Sequence, residues 1–394
     1  MNKYNMCRRL FIGLLIVLTQ FNIVSQDNNK NYLLSDVELQ LESLDGLQAL
    51  YNYDFPKAQE NFEMLKRKYP KHPIAYYLLG LMQWWKILPN IEDKQYDEYL
   101  ITYMDSSITF AEEMYKKDNY NIEANFFLAA AHGLKGRIYS DRGNWGKATS
   151  AGKSAMTHLS KNKDIDDLGV EFLFGTALYN YYSVWVPEKY PIMKPVMLMF
   201  PKGDADQGIL QLKDVAFNSF YTRVEAQTHL LSIYLDVESL DRVTDKEKQE
   251  NNIFCYSLLK NLIQDYPNNP YFARIYAKCC FNLGKINDMV DISKSIIQKY
   301  ENKVPFYEEQ SVRYASFFMG YYHHMYTKDS DEALKYFRLS EQVSETLKAY
   351  HMGYYHYSLF YLGQELEKKG DKKGAEDYYK KVKKHAGKNE AVYD

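Results

Sequence analysis

A chain of 394 residues with 46% hydrophobic and 25% charged residues carries enough apolar side chain to bury a core, which excludes wholesale disorder. Its formal net charge of −2 has no excess of either sign, which argues against a nucleic-acid or anionic-membrane binder. Four cysteines are too few for a disulfide-stapled scaffold; the unusual feature is 38 tyrosines, which suit helix packing and exposed recognition equally.

In chain order, residues 1–25 read as an export signal. Lys3, Arg8 and Arg9 precede an apolar core from Leu10 to Leu18 that is too short to span a bilayer. Cleavage after Ser25 is expected, and Cys7 lies ahead of the core, so no cysteine is placed for a lipid anchor. The remainder, 26–394, is expected to form one helical domain. Val37, Leu41, Leu44 and Leu47 recur at helical steps and predict the inner face of a first helix. Gly46 permits a partner helix to come close, Asp54 is placed to cap that partner, and Ala58, Phe62 and Leu65 form its inner face. The segment Tyr69-Pro70-Lys71-His72-Pro73 returns as Tyr266-Pro267-Asn268-Asn269-Pro270. In both, the first proline stops a helix and the second starts the next. Gly136, Tyr139, Ala148 and Ala155 fit another unit, turned at Arg142-Gly143-Asn144-Trp145. Ala277 takes the glycine position in a later unit, with Gly284 in its turn. Gly320, Ala333 and Phe337 fit a late unit with one residue added in the turn. The last unit has Gly363, a Lys369-Gly370-Asp371 turn, Ala375 and Tyr379. Insertions are expected near 86–97, 187–206 and 239–251.

Glycine to alanine is 12 residues and alanine to aromatic is 4 at both ends of the chain, and Gly80 follows Gly46 by 34. This spacing resembles the tetratricopeptide repeat family, whose helix–turn–helix unit has 34 residues. The resemblance implies an all-α, TPR-like α-solenoid of about eight helix pairs. A weaker one covers 172–216, where Phe174-Gly175-Thr176-Ala177-Leu178-Tyr179 and Gly208-Ile209-Leu210-Gln211-Leu212 are similar to a segment of eukaryotic inclusion-body-clearance repeat proteins. It implies shared helical architecture and contains no catalytic motif.

In the tetratricopeptide family the first helix of each pair lines a concave groove. Carried onto this chain, the lining positions fall on Tyr77, Trp84, Trp85, Phe172, Tyr179, Tyr271, Arg274, Lys278, Tyr314, Phe317, Tyr321 and His324, with Tyr357 and Phe360 in the last unit. The resemblance therefore implies an aromatic groove with a cationic step at Arg274 and Lys278, able to hold a peptide or protein partner. Competing chemistry is thin. His323/His324 and His351/His356 have the wrong spacing for one helical metal site, and no HExxH, C-x-x-C pair or phosphate-binding glycine loop occurs. Glu112-Glu113 and Asp166-Asp167 read as solvated carboxylates, and the lysines of the last helix as its polar outer face. Cys255 is open to pairing with Cys279 or Cys280, although buried thiols fit better. The expectation is a non-enzymatic scaffold of the cell envelope, periplasmic or outer-membrane-associated, with no cofactor, no metal and no nucleic-acid partner. A glycan binder or a hydrolase are the alternatives.

Overall fold

The computed structural model describes residues 32–162, 169–189, 191, 194–198, 200–236, 244–350 and 353–386. The export signal, Cys7, Asp166-Asp167 and His351 lie outside the described residues, as does part of the charged insertion. The chain divides into a short N-terminal unit ending at Leu41 and a second unit, Glu42–Asp394. In the first, a 3-10 turn, Leu33–Ser35, leads to Asp36, whose Oδ1 accepts the Leu39 N–H at 2.9 Å and caps the helix that follows.

Among the described residues there are sixteen α-helices of 13 to 21 residues, which pair in chain order. They are α1 (Val37–Tyr51) with α2 (Phe55–Lys68), α3 (Pro73–Ile87) with α4 (Asp97–Lys117), α5 (Ile122–Asp141) with α6 (Trp145–Asn162), and α7 (Val170–Lys189) with α8 (Ala205–Asn218). Then come α9 (Arg223–Asp236) with α10 (Asp245–Asp265), α11 (Pro270–Asn282) with α12 (Ile286–Glu301), α13 (Glu309–Tyr322) with α14 (Ser330–Thr346), and α15 (Gly353–Lys368) with α16 (Lys372–His385). Each helix packs mainly on its neighbours in sequence, which makes the fold an all-α, TPR-like solenoid.

Steric fit sets the pairing. A Cβ on Gly46 would lie 2.6 Å from the Phe62 ring, one on Gly320 2.6 Å from Phe337, and one on Gly363 2.4 Å from Tyr379. The glycine–aromatic spacing is therefore a helix-crossing contact, and it identifies the buried face. On α1 that face is Ser43, Leu47 and Leu50; Val37, Leu41 and Leu44 are exposed, so the predicted inner stripe is corrected by one step around the helix. Both stripes share the helical period, and only the contact of Gly46 with Phe62 chooses between them.

The turns follow the expected chemistry. Tyr69 and Tyr266 close α2 and α10 with nearly the same backbone angles, and His72 and Asn269 cap the helices opened by Pro73 and Pro270. Gly143, Gly284 and Gly370 adopt positive φ in three of the inter-helix turns. The extra residue of the seventh pair is absorbed by a π-helical turn, His323–Thr327, which leaves Gly320 in register with Phe337. In the 187–206 insertion, Pro187 continues α7, a single turn forms at Lys194–Met197, and Leu198 is 86% exposed. The return limb packs back on α7, with the Gly203 N–H donating to Ser183 Oγ at 3.1 Å. The first two turns of the 239–251 insertion's helical part open α10, under a capping box of Thr244 and Glu247.

Within Glu42–Asp394 the solenoid also closes on itself. The first two pairs meet the fifth to seventh: Asn269 Nδ2 donates to the Tyr51 carbonyl at 2.8 Å, Gln48 Nε2 to the Asp265 carbonyl at 2.9 Å, and Arg274 Nη1 to the Pro89 carbonyl at 2.8 Å. Phe306 packs edge-on against Phe55 at 4.9 Å and Tyr53 at 5.5 Å. At the centre of this seam Trp85, fully buried, donates its Nε1–H to Glu225 Oε1 at 2.6 Å and is ringed by Tyr51, Tyr53, Tyr271 and Phe272. Burial pushes the Glu225 carboxyl up to about 7 even though Trp85 and Tyr51 favour its ionised form.

Two outcomes follow for stability. Gly320→Ala drives a methyl into the Phe337 ring and should cost roughly 1–3 kcal/mol. Gly133→Ala, in α5 with nothing within 4 Å of its added carbon, should stabilise by roughly 0.5–1 kcal/mol. Urea midpoints measure both, and equal effects would show that the glycine is not a contact. For Glu225, the folded state holds a proton more tightly than the unfolded chain, so its stabilising contribution is complete below pH 4.5 and lost as pH rises through about 7. Between pH 5 and 8 the native chain should lose up to about 3 kcal/mol relative to Glu225→Gln. Parallel stability profiles for the two chains would mean that Glu225 ionises as readily folded as unfolded.

Candidate functional site

The first helices of the pairs face one another across the inside of the closed solenoid and leave a cavity of about 410 Å³. Its wall comes from five first helices and no second helix: Arg137 of α5; Tyr181, Tyr182, Trp185 and Lys189 of α7; Leu231, Ser232, Ile233 and Leu235 of α9; Tyr271, Arg274, Ile275 and Lys278 of α11; Tyr314 of α13. Small residues make this wall possible by letting the second helices press closely from outside. On α8, Gly208 sits where a Cβ would lie 2.7 Å from the Tyr181 backbone nitrogen and 2.9 Å from the Ala177 oxygen.

Aromatic rings hold the cations in place. The Arg274 guanidinium lies 5.6 Å from the Tyr271 ring centre and 5.9 Å from Tyr314, while Lys189 lies 4.6 Å over Trp185. Burial pushes Arg274 down from its ordinary value, against the pull of the Tyr314 and Tyr271 hydroxyls, although a guanidinium keeps its charge at any physiological pH. Arg137 stacks over Trp84 at 5.7 Å and donates Nε–H to Asp141 at 2.9 Å. His229 adds no charge: burial first, and the Arg137 cation second, push it down to about 3, and its Nδ1 lies 3.1 Å from the Tyr182 hydroxyl. Among the described residues the cavity wall thus carries four cationic side chains and no carboxylate.

Of the groove positions expected from the repeat frame, Arg274, Lys278 and Tyr314 meet at this cavity, together with Tyr271. The others stand elsewhere. Trp85 is in the seam, and Tyr77 lies against Phe127 with its hydroxyl pushed up by burial and by Glu225. Trp84 is covered by Arg137, Phe172 packs edge-on against Phe126 at 5.3 Å, and the Tyr179 hydroxyl donates to the Pro201 carbonyl. Phe317 is buried among Phe281, Phe337 and Tyr354. His324 joins a polar cluster with Glu365 and Lys368. Tyr321 stays half-buried beside Tyr361. The frame missed Arg137, Tyr181, Tyr182, Trp185 and Lys189, which sit on first helices of pairs lacking the proline punctuation, and all of α9. The three later cysteines are buried thiols, and burial pushes Cys280 up to about 12.

No protein-family model matches the sequence, and no curated protein sequence does. Solved structures similar to this chain include a human IFIT1 dimer with PPP-AAAA, at 13% identity over 84% of this chain and 71% of that one, TM-score 0.45. A second human IFIT1 dimer, with m7Gppp-AAAA, has 12% identity over 84% and 70%, TM-score 0.44. A monomeric IFIT1 mutant with Gppp-AAAA has 14% identity over 97% and 78%, TM-score 0.43. These comparisons correct one expectation. The exclusion of nucleic-acid partners is withdrawn: the IFIT1 structures carry PPP-AAAA, m7Gppp-AAAA and Gppp-AAAA. Net charge, on which it rested, is a whole-chain sum that takes no account of a local cluster such as Arg137, Lys189, Arg274 and Lys278.

Proposed function

We propose that this chain is a non-enzymatic helical-repeat scaffold that captures a peptide or protein partner along the inner wall built by its first helices, in the cell envelope to which its leader sequence directs it. The observation that carries this reading is that the aromatic wall does not stop at the cavity. It runs from Tyr314 to Tyr354 at 4.9 Å, from Phe317 to Tyr357 at 6.4 Å, and from Tyr321 to Tyr361 at 6.0 Å, all on α13 and α15. Tyr357 is 37% exposed, and Tyr314, Tyr321 and Tyr361 are half-buried.

Partly open tyrosines anchored on rigid helices bring large contact area with little side-chain entropy left to lose, which is the composition of binding hot spots. Arg274, Lys278 and Tyr314 supply polar anchors where the wall enters the cavity. Trp84, Trp85, Phe172 and Phe317 serve the reading indirectly, as the packing that holds the wall. Tyr77, Tyr179 and His324 are committed to contacts within the solenoid, as described above. The envelope setting rests on the leader. In the described residues no helix is long and apolar enough to cross a membrane.

Pull-down from an envelope extract, comparing the native chain with Tyr321→Ala/Tyr357→Ala, tests the wall. Each anchor should be worth about 2 kcal/mol, so the double variant should lose capture of its partner protein while keeping its helical content. Undiminished capture would remove the wall from the binding surface. Recovery of glycan and no protein would overturn the partner class.

A further inference from the structure

One guanidinium in the cavity wall has no counter-charge. Arg274 donates a single hydrogen bond, from Nη1 to the Pro89 carbonyl, and makes no ion pair among the described residues. A guanidinium offers five N–H donors, so most of this one's, including the whole Nε–Nη2 edge, are uncommitted. The other cations of the wall are engaged: Arg137 is held by Asp141, and Lys189 and Lys278 have interactions of their own. Taking a cation out of water without a partner is costly, and burial acts against the Arg274 charge. Two further donors stand beside it. Tyr271 and Tyr314 flank the guanidinium, and both hydroxyls are close enough to act on its charge. Neither hydroxyl makes a hydrogen bond among the described residues. Burial pushes the Tyr271 hydroxyl up, so it keeps its proton and remains a donor.

We propose that the cavity binds a small amphipathic acid: one carboxylate, recognised by Arg274 with the Tyr271 and Tyr314 hydroxyls, on an apolar body. The donors set the head group. One uncommitted guanidinium balances one negative charge, and its planar edge matches a planar carboxylate through two parallel N–H···O bonds. The two phenol O–H groups suit the remaining carboxylate lone pairs. The rest of the wall sets the body, since Leu231, Ile233, Leu235 and Ile275 offer aliphatic surface with no charge. Size supports a small molecule, because about 410 Å³ lies toward the lower end of the range of about 300–1,000 Å³ of small-molecule sites. The bond to Pro89 comes from the 86–97 insertion across the seam, so closure orients the guanidinium before any ligand arrives. Such preorganisation lowers the cost of binding.

The test is titration calorimetry with thermal unfolding of the full chain at constant ionic strength. Octanoate and indole-3-acetate are the acids, octanamide and indole-3-acetamide their uncharged counterparts, and sodium chloride the salt control. At least one acid should bind with 1:1 stoichiometry and raise the melting temperature, and its amide should bind about tenfold more weakly or worse. Octanoate alone would assign a flexible chain to the body, and indole-3-acetate alone a flat ring. Tyr271→Phe/Tyr314→Phe keeps both rings and deletes both hydroxyls, so the acid should bind it about tenfold more weakly while circular dichroism shows native helicity. Arg274→Lys keeps the charge and loses the fork, and should also weaken binding, whereas Lys380→Gln on α16 should leave it unchanged. The proposal is overturned if neither acid exceeds the salt control, or if an amide binds as tightly as its acid. It is equally overturned if the double phenylalanine change or Arg274→Lys leaves the affinity native, or if octyl phosphate or a peptide with a free C-terminus binds while the small acids do not. Tyr321→Ala/Tyr357→Ala should retain acid binding, so loss of the docking wall and loss of the cavity site are separate results.

Discussion

The hydrogen bond from Trp85 to Glu225 joins residues 140 positions apart, and the inner surface depends on the seam around it. A helical-repeat solenoid holds itself together through neighbouring repeats, and each unit needs only the one before and the one after. Here the second pair also grips the fifth and sixth. Bringing α3 against α9 and α11 encloses the space between the first helices, so that rings which an open solenoid would display become partly desolvated. The cavity, its cations and the tyrosine wall are arranged by that closure. A carboxyl at the centre of it, held by an indole N–H and pushed up by burial, is the point of least electrostatic comfort in the seam.

The fold was legible where sterics are local. Gly46 with Phe62, Gly320 with Phe337 and Gly363 with Tyr379 are spaced by helix geometry, and each proves to be a backbone-to-ring contact that an added Cβ would crowd. The two Tyr-Pro punctuations worked for the same reason, since proline acts on the residues beside it. On α1 Leu47 is buried as expected, while Val37, Leu41 and Leu44 were misplaced because their steps share the helical period with the buried Ser43 and Leu50, and the contact that separates the two sets is made by another helix. Closure left no mark in the periodicity. Three of its bonds run to the backbone carbonyls of Tyr51, Pro89 and Asp265, which every residue type offers alike.

The same division explains the candidate site. Arg274, Lys278 and Tyr314 fall where the frame is fixed by Pro270 and Gly320, and they reach the cavity. Arg137 and the α7 residues belong to pairs without that punctuation. Trp84 and Trp85 are on the right helix, but closure turns the inner surface there into interior. Tyrosine abundance was the ambiguous signal: Tyr51 and Tyr355 are core, whereas Tyr357 is open. Net charge misled for a related reason, because four cations at one cavity disappear in a sum over the whole chain.

The seam also has a consequence for the order of assembly. Its bonds span 140 to 218 positions, whereas the glycine-to-ring contacts within a pair span 16 or 17. Closing loops of that length carries an entropic cost that local contacts avoid, so the pairs form early and the ring is sealed late. During synthesis, α1 to α3 are complete while Glu225 is still to be added, leaving the Trp85 indole without it for 140 residues of elongation, or roughly 7–28 s at about 5–20 residues per second. For that interval the N-terminal helices present an aromatic edge awaiting a mate further down the same chain, and a second nascent copy nearby carries the same mate.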